Sequence, residues 1–252
     1  MRACVTDFFL HFRCSGVAMS FETSTGYLFT SVGNGELGSG RYGVVSKVLS
    51  TRTRQVHAAK RARRSTGKCC LRDVNCACNT PSEPGEMRIQ AANGVEREAE
   101  VLRQLKHPHI ISLLGVGSSD TRPFFIIPFA PFGNTFNVPS IFQPFLSTFI
   151  NHVASALLYL HTVVHISHTD LTNKNILIMG STIAPVFVVC DFGASRPIDP
   201  ATGFGDVRQN KFAYQCLTTA EYAAPETFGH DTSKVDKRAA DVWSFGMCIL
   251  GF

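Results

Sequence analysis

Oxygen-bearing side chains recur in two short segments in the second half of the chain. His168-Thr-Asp170-Leu-Thr-Asn-Lys-Asn175 places a carboxylate and a carboxamide five residues apart, and Asp191-Phe-Gly193 follows after an apolar stretch. Such groups suit Mg²⁺, which takes oxygen donors and keeps several waters. One carboxylate can then stay free to orient a hydroxyl nucleophile. Each segment alone is also a good turn former, so a plain turn is the alternative interpretation.

Glycines are concentrated near residue 40. Gly38-Ser39-Gly40-Arg-Tyr-Gly43-Val-Val45 matches the pattern G-x-G-x-x-G-x-V. Glycine lets the backbone fold tightly and bring its N–H groups against phosphate oxygens, although an ordinary glycine-rich hairpin has the same composition. Strand-like residues follow these glycines, whereas a dinucleotide-binding fold needs a helix at this point. The pattern therefore indicates a phosphate-binding hairpin or a plain turn.

A lysine follows the glycines at the end of a short apolar run. Lys60 lies about twenty residues downstream, where its amine can reach a nucleotide's α and β phosphates, although a solvated strand end is the alternative. Such a lysine needs a carboxylate to orient it. Glu96, Glu98 and Glu100 are candidates, and Glu98 shares a helix face with Leu102 at i, i+4.

The elements that must position these residues can be predicted from hydrophobic periodicity. Residues 27–62 alternate apolar and polar residues around the glycines, which predicts three antiparallel strands. Further strands are expected at 110–116 and 124–129, a hairpin at 176–179 and 186–190, and helices at 95–106, 145–164 and 240–252. Strands dominate the first part and helices the second, which predicts the α+β class.

Composition limits the remaining classes of function. The chain has 252 residues, 44% of them hydrophobic and 17% charged, which is a globular composition. Its net charge of +5 suits anionic ligands such as nucleotide phosphates but is too small to indicate nucleic acid. No apolar run is long enough for a membrane span, and the first residues do not match a signal peptide. We therefore expect an intracellular protein whose nine cysteines are reduced thiols.

Four of these cysteines cluster in one polar segment. Cys69, Cys70, Cys76 and Cys78 lie within residues 61–94, a stretch rich in Arg, Asn, Pro and Gly with no apolar period. We expect a cysteine-rich insertion longer than the loops of compact domains. A zinc site is the alternative, but the cluster lacks the paired C-x-x-C spacing usual for zinc ligands.

Taken together with Ala224-Pro225-Glu226 and Asp241-Val-Trp-Ser-Phe-Gly246, these segments have a familiar order. From residue 27 to its end the chain resembles a eukaryotic protein kinase catalytic domain, of a serine/threonine type somewhat like cyclin-dependent kinases. The resemblance implies a bilobal fold: a β-rich N-lobe over 27–129 with one main helix and an insertion at 61–94, then an α-rich C-lobe over 130–252. Residues 1–26 would be an N-terminal extension. Since the chain stops within the helix that carries Asp241, we expect the last C-lobe helices to be missing.

The resemblance also assigns roles to the residues above. Lys60 would hold the α and β phosphates of ATP and pair with Glu98, while Asp170 would orient the substrate hydroxyl and accept its proton. Asp191 and Asn175 would bind Mg²⁺. Pro128 would accept from adenine through its carbonyl, which proline retains. The expected nucleotide-binding residues are Gly38, Ser39, Gly40, Gly43, Val45, Ala58, Lys60, Pro128, Ala130 and Leu177.

Some positions depart from the family pattern. Thr169 replaces the arginine that normally pairs with a phosphorylated activation loop, so we expect activity that does not depend strongly on a loop phosphate. Thr172 replaces a lysine that contacts the γ-phosphate, which leaves tyrosine specificity open. Thr219, ahead of Ala-Glu-Tyr-Ala-Ala-Pro-Glu, favours a serine/threonine kinase. The implied partners are ATP, a protein substrate and a regulatory protein subunit. The alternative is a catalytically weak or inactive pseudokinase, or a truncated nucleotide-binding scaffold.

Overall fold

A computed structural model describes residues 20–40, 42–63, 84–119, 122–137, 142–205, 218–228 and 235–252. Its first half is an antiparallel sheet of six strands: β1 (Ser20–Glu22), β2 (Leu28–Ser39), β3 (Gly43–Ser50), β4 (Val56–Ala62), β5 (Gly115–Ser119) and β6 (Arg122–Pro128). The strands lie side by side in the order β1-β2-β3-β4-β6-β5. The three strands expected over 27–62 are confirmed as β2, β3 and β4. Strand β1 was not expected, and it pairs with β2 from within the segment assigned to the extension.

Helix α1 (Pro84–Gln104) packs against this sheet and is longer than the helix expected over 95–106. It begins inside the stretch that we expected to be an insertion without secondary structure. Proline is favoured in the first helical turn, but Asn93 and Gly94 have low helix propensity and interrupt the apolar pattern. The weak periodicity therefore concealed the first half of the helix.

The strand expected over 110–116 was placed too early. Only its last two residues belong to β5, whereas Ile110 and Ile111 are buried without joining the six-stranded sheet. Ile110 instead bridges Val189, and the Ile111 N–H donates to the Val189 carbonyl. A short apolar run is equally typical of a strand and of a buried irregular segment, so its composition could not separate the two.

Helices and short hairpins make up the second half. Helix α2 (Leu146–Tyr159) continues through a π-helical turn (Leu160–Val164), which agrees with the helix expected over 145–164. Two short pairs follow: β7 (Ile166–Ser167) with β10 (Arg196–Pro197), and β8 (Ile176–Gly180) with β9 (Pro185–Val189). Helix α3 (Lys237–Leu250) is the last described element. The predicted β8–β9 hairpin and the α+β class are confirmed.

Aromatic side chains form much of the core of this second half. Phe149 of α2 is fully buried and stacks on Phe252 at a centroid distance of 4.3 Å. Phe187 of β9 meets Phe149 edge-on at 5.3 Å. The same apolar cluster continues through Phe192 to Leu102 of α1, so it joins the helical half to the helix that lies on the sheet. No helix among the described residues has both the length and the hydropathy to cross a lipid bilayer.

Candidate functional site

Strand register brings several predicted nucleotide-binding residues to one face of the sheet. Val45 of β3 is the cross-strand partner of Lys60 in β4, and Ala58 of β4 is the partner of Ile127 in β6. Cross-strand partners share a face, as do residues two apart on one strand. Val45, Ala58, Lys60 and Ile127 therefore project to the same side of the sheet.

The glycine-rich segment is the turn between β2 and β3. Gly38 pairs with Val45, and the Gly40 N–H donates to the Gly43 carbonyl at 2.9 Å. A Cβ added at Gly38 or Gly40 would meet no atom within 4 Å, whereas one at Gly43 would lie 2.8 Å from the Arg61 carbonyl oxygen. The fold itself therefore requires glycine at position 43, but its packing does not require glycine at 38 or 40.

Three charged side chains from separate elements meet next to this turn. The Lys60 ammonium of β4 donates to Glu98 Oε2 of α1 at 2.6 Å and to Asp191 Oδ1 at 2.8 Å. The side chains of Lys60 and Glu98 are only 8% and 2% exposed, while that of Asp191 is 41% exposed. The predicted Lys60–Glu98 pair is present, and the ammonium also bridges to a carboxylate 131 residues away in the chain.

The environment of this triad perturbs all three groups. Burial lowers the pKa of Lys60, but the carboxylates of Asp191 and Glu98 outweigh burial and hold the pKa above its ordinary value. Burial raises the pKa of Glu98 to about 7, because desolvation exceeds the attraction of Lys60. Burial also opposes ionisation of Asp191, but Lys60 and a Gly193 hydrogen bond leave its pKa below the ordinary value. Lys60 therefore stays cationic, and Asp191 is the more firmly anionic of its two partners.

Asp191 is held in an unusual backbone conformation. Its φ is 63°, in the left-handed region that non-glycine residues rarely adopt, and its Oδ1 accepts from the Gly193 N–H at 3.4 Å. The next residue, Phe192, is buried against the His168 ring at a centroid distance of 5.0 Å. The His168 Nε2 donates to the Cys190 carbonyl at 3.0 Å. These contacts fix the Asp191 segment against the loop that carries Asp170.

The loop from His168 to Asn175 has two fixed ends. At its start, the buried Asp241 of α3 accepts from the backbone N–H groups of His168 and Thr169 at 2.8 Å each, and it also pairs with His161. At its end, the Asn175 amide nitrogen donates to the Asp170 carbonyl at 2.8 Å. This bond commits the Asn175 nitrogen and leaves the carboxamide oxygen, which is the atom that a metal ion requires.

Asp170 contacts Thr219, the residue that we used in the sequence to favour serine or threonine over tyrosine as the acceptor. Both the backbone N–H and the hydroxyl of Thr219 donate to Asp170 Oδ1, at 2.9 and 2.7 Å. The side-chain donor set among Asp170, Asn175 and Asp191 consists of hard oxygens, which fit Mg²⁺ and not a soft metal. Within the described ranges, no group of three or more His, Cys, Asp or Glu residues could hold a metal by itself.

The remaining predicted nucleotide-binding residues lie where the sheet meets the helical half. Pro128 ends β6, and the Ala130 carbonyl accepts from the Gly133 N–H in the turn that follows. Leu177 of β8 bridges to Asn134 across this connection. Leu177 and Ile127 are both partly buried against the main core, so the connection forms an apolar edge next to Ala58.

Two contacts of this site were missed by reasoning from sequence. The Tyr42 ring lies so close to α1 that a Cβ at Gly94 would overlap it, and a Cβ at Gly193 would lie 3.3 Å from it. A glycine inside a helix often has a packing reason, so Gly94 was the available signal. Arg97 Nη2 also donates to the Ser195 carbonyl at 3.1 Å, which ties α1 to the segment after Asp191. No pattern in the sequence indicated that second contact.

One further prediction falls on residues outside the described ranges. The cluster Cys69, Cys70, Cys76 and Cys78 lies in 64–83. The zinc alternative therefore stays a prediction. Thr169 is described: its side chain is buried, and its hydroxyl lies 3.0 Å from that of Ser167.

Comparison with known proteins supplies independent findings. The sequence model of one family, described as the protein kinase domain, matches residues 32–252. The chain is 27% identical over 217 residues to death-associated protein kinase 2 of Mus musculus, a match that covers 84% of this chain and 51% of that protein. The Homo sapiens protein of that name is 26% identical with the same coverage. Aurora kinase of Dictyostelium discoideum is 32% identical over 166 residues, covering 63% of this chain and 38% of that protein. The chain thus spans about half the length of the two death-associated kinases.

Proposed function

Since this chain belongs to the protein kinase family, we propose that it transfers the γ-phosphoryl group of ATP to a serine or threonine hydroxyl of a protein substrate. One observation carries the proposal. The buried ammonium of Lys60 contacts Glu98 at 2.6 Å and Asp191 at 2.8 Å, so a cation from the sheet and an anion from the helical half meet in one site. Phosphoryl transfer depends on such positioning, because the reacting groups themselves need little covalent assistance.

ATP would lie along the face of the sheet that carries Lys60. In this proposal Val45, Ala58 and Leu177 enclose the adenine ring, while the Pro128 carbonyl and the Ala130 N–H meet its polar edge. The backbone of Gly38, Ser39, Gly40 and Gly43 would cover the phosphates. The open space beside Gly38 and Gly40 supports this role, since the protein's own packing gives no reason for glycine there.

Mg²⁺ would be held by Asp191 and by the carboxamide oxygen of Asn175. When bound, the ion would neutralise charge on the phosphate oxygens. The half-exposed Asp191 carboxylate and its lowered pKa support this assignment, because a metal ligand must be ionised at neutral pH. Lys60 then keeps its buried partner Glu98 while it contacts the α and β phosphates.

Asp170 would orient the acceptor hydroxyl. The hydroxyl oxygen forms a bond to the γ-phosphorus as the bond to the β,γ-bridging oxygen breaks, ADP leaves, and Asp170 accepts the hydroxyl proton. Among the described residues Thr219 bonds Oδ1 of Asp170 alone, which leaves Oδ2 for the acceptor. The Thr219 contact supports a serine or threonine acceptor over tyrosine, because it brings the Thr219 segment next to the acceptor position, as the serine/threonine pattern implies.

The proposed activity also suggests where in the cell the protein acts. We propose an intracellular location, where ATP is abundant and thiols such as Cys190 and Cys248, both free, stay reduced. A regulatory protein subunit stays a prediction.

The test is phosphate transfer from radiolabelled Mg²⁺-ATP to a generic protein mixture, with the wild type beside Asp191→Asn. We expect transfer by the wild type and a loss of about a thousandfold or more in the variant. Asp199→Asn is the matched control, because Asp199 is exposed and bonds a turn that asparagine also stabilises. Nucleotide binding by the wild type without any transfer would reject the proposed activity in favour of a pseudokinase.

A further inference from the structure

An exposed cation lies in the loop that carries Asp170. Lys174 belongs to the short 3₁₀ turn Asn173–Asn175, between the proposed acceptor-orienting carboxylate and the proposed metal ligand. Its Nζ lies 4.9 Å from the centroid of the Phe136 ring, and Phe136 is itself 53% exposed. Lys174 forms no ion pair with any residue in the described part of the chain. A charged group and an aromatic ring are therefore both open to solvent at this point.

Hydrogen bonds fix this Lys174–Phe136 pair relative to Asp170. The Phe136 N–H donates to the carbonyl of Asn173, and the Thr135 hydroxyl lies 3.0 Å from both that carbonyl and the Asn173 side-chain oxygen. Asn173 is 1% exposed, and Asn175 donates to the Asp170 carbonyl. Phe136 and Lys174 are thus both held by hydrogen bonds next to Asp170, where the acceptor hydroxyl must bind.

The charge of the surrounding residues determines what this pair would attract. Asp170 is occupied on one oxygen by Thr219, and Asp191 is paired with Lys60. Glu221 is exposed, but it lies on the separate turn Ala220–Tyr222. Lys174 is therefore the cation of the acceptor loop that no acidic side chain of the described chain neutralises.

We propose that Lys174 is a specificity-determining residue, which favours substrates with aspartate or glutamate within a few residues of the phosphorylated serine or threonine. This proposal rests on the proposed kinase function and names its substrate class. The substrate carboxylate pairs with the Lys174 ammonium, and the neighbouring side chain or backbone of the substrate packs on Phe136. An exposed ion pair contributes modestly, so each well-placed acidic residue raises kcat/KM about two- to fivefold.

The test uses three peptides, each with a single serine. In the acidic peptide the serine is flanked by aspartate, in the neutral peptide by uncharged residues, and in the basic peptide by lysine. With the wild type and Mg²⁺-ATP we expect kcat/KM to fall from the acidic to the neutral to the basic peptide, and the differences to shrink in high salt. Lys174→Glu should reverse the order. Lys106→Glu makes the same change in charge at an exposed residue just after α1 and should leave the order unchanged.

The possible outcomes separate this proposal from the function on which it rests. If the neutral peptide is phosphorylated but Lys174→Glu keeps the wild-type order, the specificity proposal is wrong and the kinase function stands. If no peptide is phosphorylated, the kinase function fails. In that case, fluorescence anisotropy of the labelled peptides still tests the charge preference, since their dissociation constants should follow the same order without chemistry.

Discussion

Replacing Glu98 by glutamine should separate the stability of the protein from its activity. The variant keeps the shape of the side chain and an oxygen that can accept from Lys60, but it removes one negative charge from a site that is 2% exposed. At the observed 2.6 Å the ion pair attracts by about 6 kcal/mol at an effective dielectric of 20, before any cost of burial is counted. Lys60 keeps Asp191 at 2.8 Å, so the substitution does not leave its ammonium unpaired.

The pKa of Glu98 indicates which effect is larger. Burial raises it from 4.5 to about 7, which corresponds to roughly 3 kcal/mol against the ionised form in the folded protein. The folded state therefore binds more protons than the unfolded state between these two values, and this residue's contribution to stability is lost as the pH rises through that window. We expect Glu98→Gln to raise the free energy of unfolding by about 1–3 kcal/mol at pH 8 and to leave it nearly unchanged near pH 4.

Activity should change in the opposite direction. Without the Glu98 charge, Lys60 is drawn towards Asp191 and away from the phosphates, and a displacement of about 1 Å can cost a hundredfold in rate. We therefore expect kcat/KM for ATP to fall about a hundredfold. The wild-type rate should also rise with pH through about 7 as Glu98 ionises, and this rise should be absent from the variant.

Urea unfolding across pH and initial-rate kinetics test both expectations. Glu100→Gln is the matched control, since Glu100 is exposed on the same helix, and it should alter neither quantity. If Glu98→Gln lowers the free energy of unfolding at pH 8 by several kcal/mol, attraction exceeds the cost of burial and the reasoning is refuted.

Three further predictions concern the glycine-rich turn, the stacked rings of two histidines and the dependence of activity on a phosphate in the activation loop. Gly40→Ala should leave urea stability unchanged, because the added Cβ meets no atom within 4 Å, yet raise the KM for ATP about tenfold by crowding the phosphates. The rings of His109 and His152 stack 3.8 Å apart, and burial lowers the pKa of both below 6.5. The unfolded chain thus binds protons more readily, so the free energy of unfolding should fall as the pH drops below 6.5, and less steeply in His152→Gln. Phosphatase treatment should leave most of the kinase activity, because position 169 offers a buried threonine instead of an arginine and Arg97 already donates to a backbone carbonyl.

Each of these three can fail in a distinct way. Lower urea stability of Gly40→Ala would mean that the turn, and not the nucleotide, requires this glycine. Equal pH dependence of the wild type and His152→Gln would mean that the stack contributes nothing to acid sensitivity. Loss of activity on dephosphorylation would show that the segment needs a phosphate despite Thr169.

Much of the candidate site could be proposed from the sequence because its residue types are chemically restricted. Only a few side chains offer a phosphate-binding amine or a hard metal ligand, and the order of the kinase-like motifs then singled out Lys60, Asp170, Asn175 and Asp191. Helix periodicity left Glu98 as one of three candidate glutamates and the kinase resemblance selected it, and the structure brings that residue to Lys60. The first half of α1 was not predicted, because its apolar pattern is weak. Residues 110–114 were wrongly predicted to be a strand, because their apolar run resembles one.

By itself the sequence determined the kinds of chemistry, the order of the motifs and most of the elements, because residue type and local periodicity are properties of short stretches. Tertiary structure alone decided that one ammonium would serve two carboxylates, that Tyr42 would pack on Gly94, and that Thr219 would occupy one oxygen of Asp170. It also decided that Lys174 would lie over Phe136 without an acidic partner among the described residues. These contacts join residues far apart in the chain, and their distances depend on how the sheet and the helices pack, which no local pattern specifies.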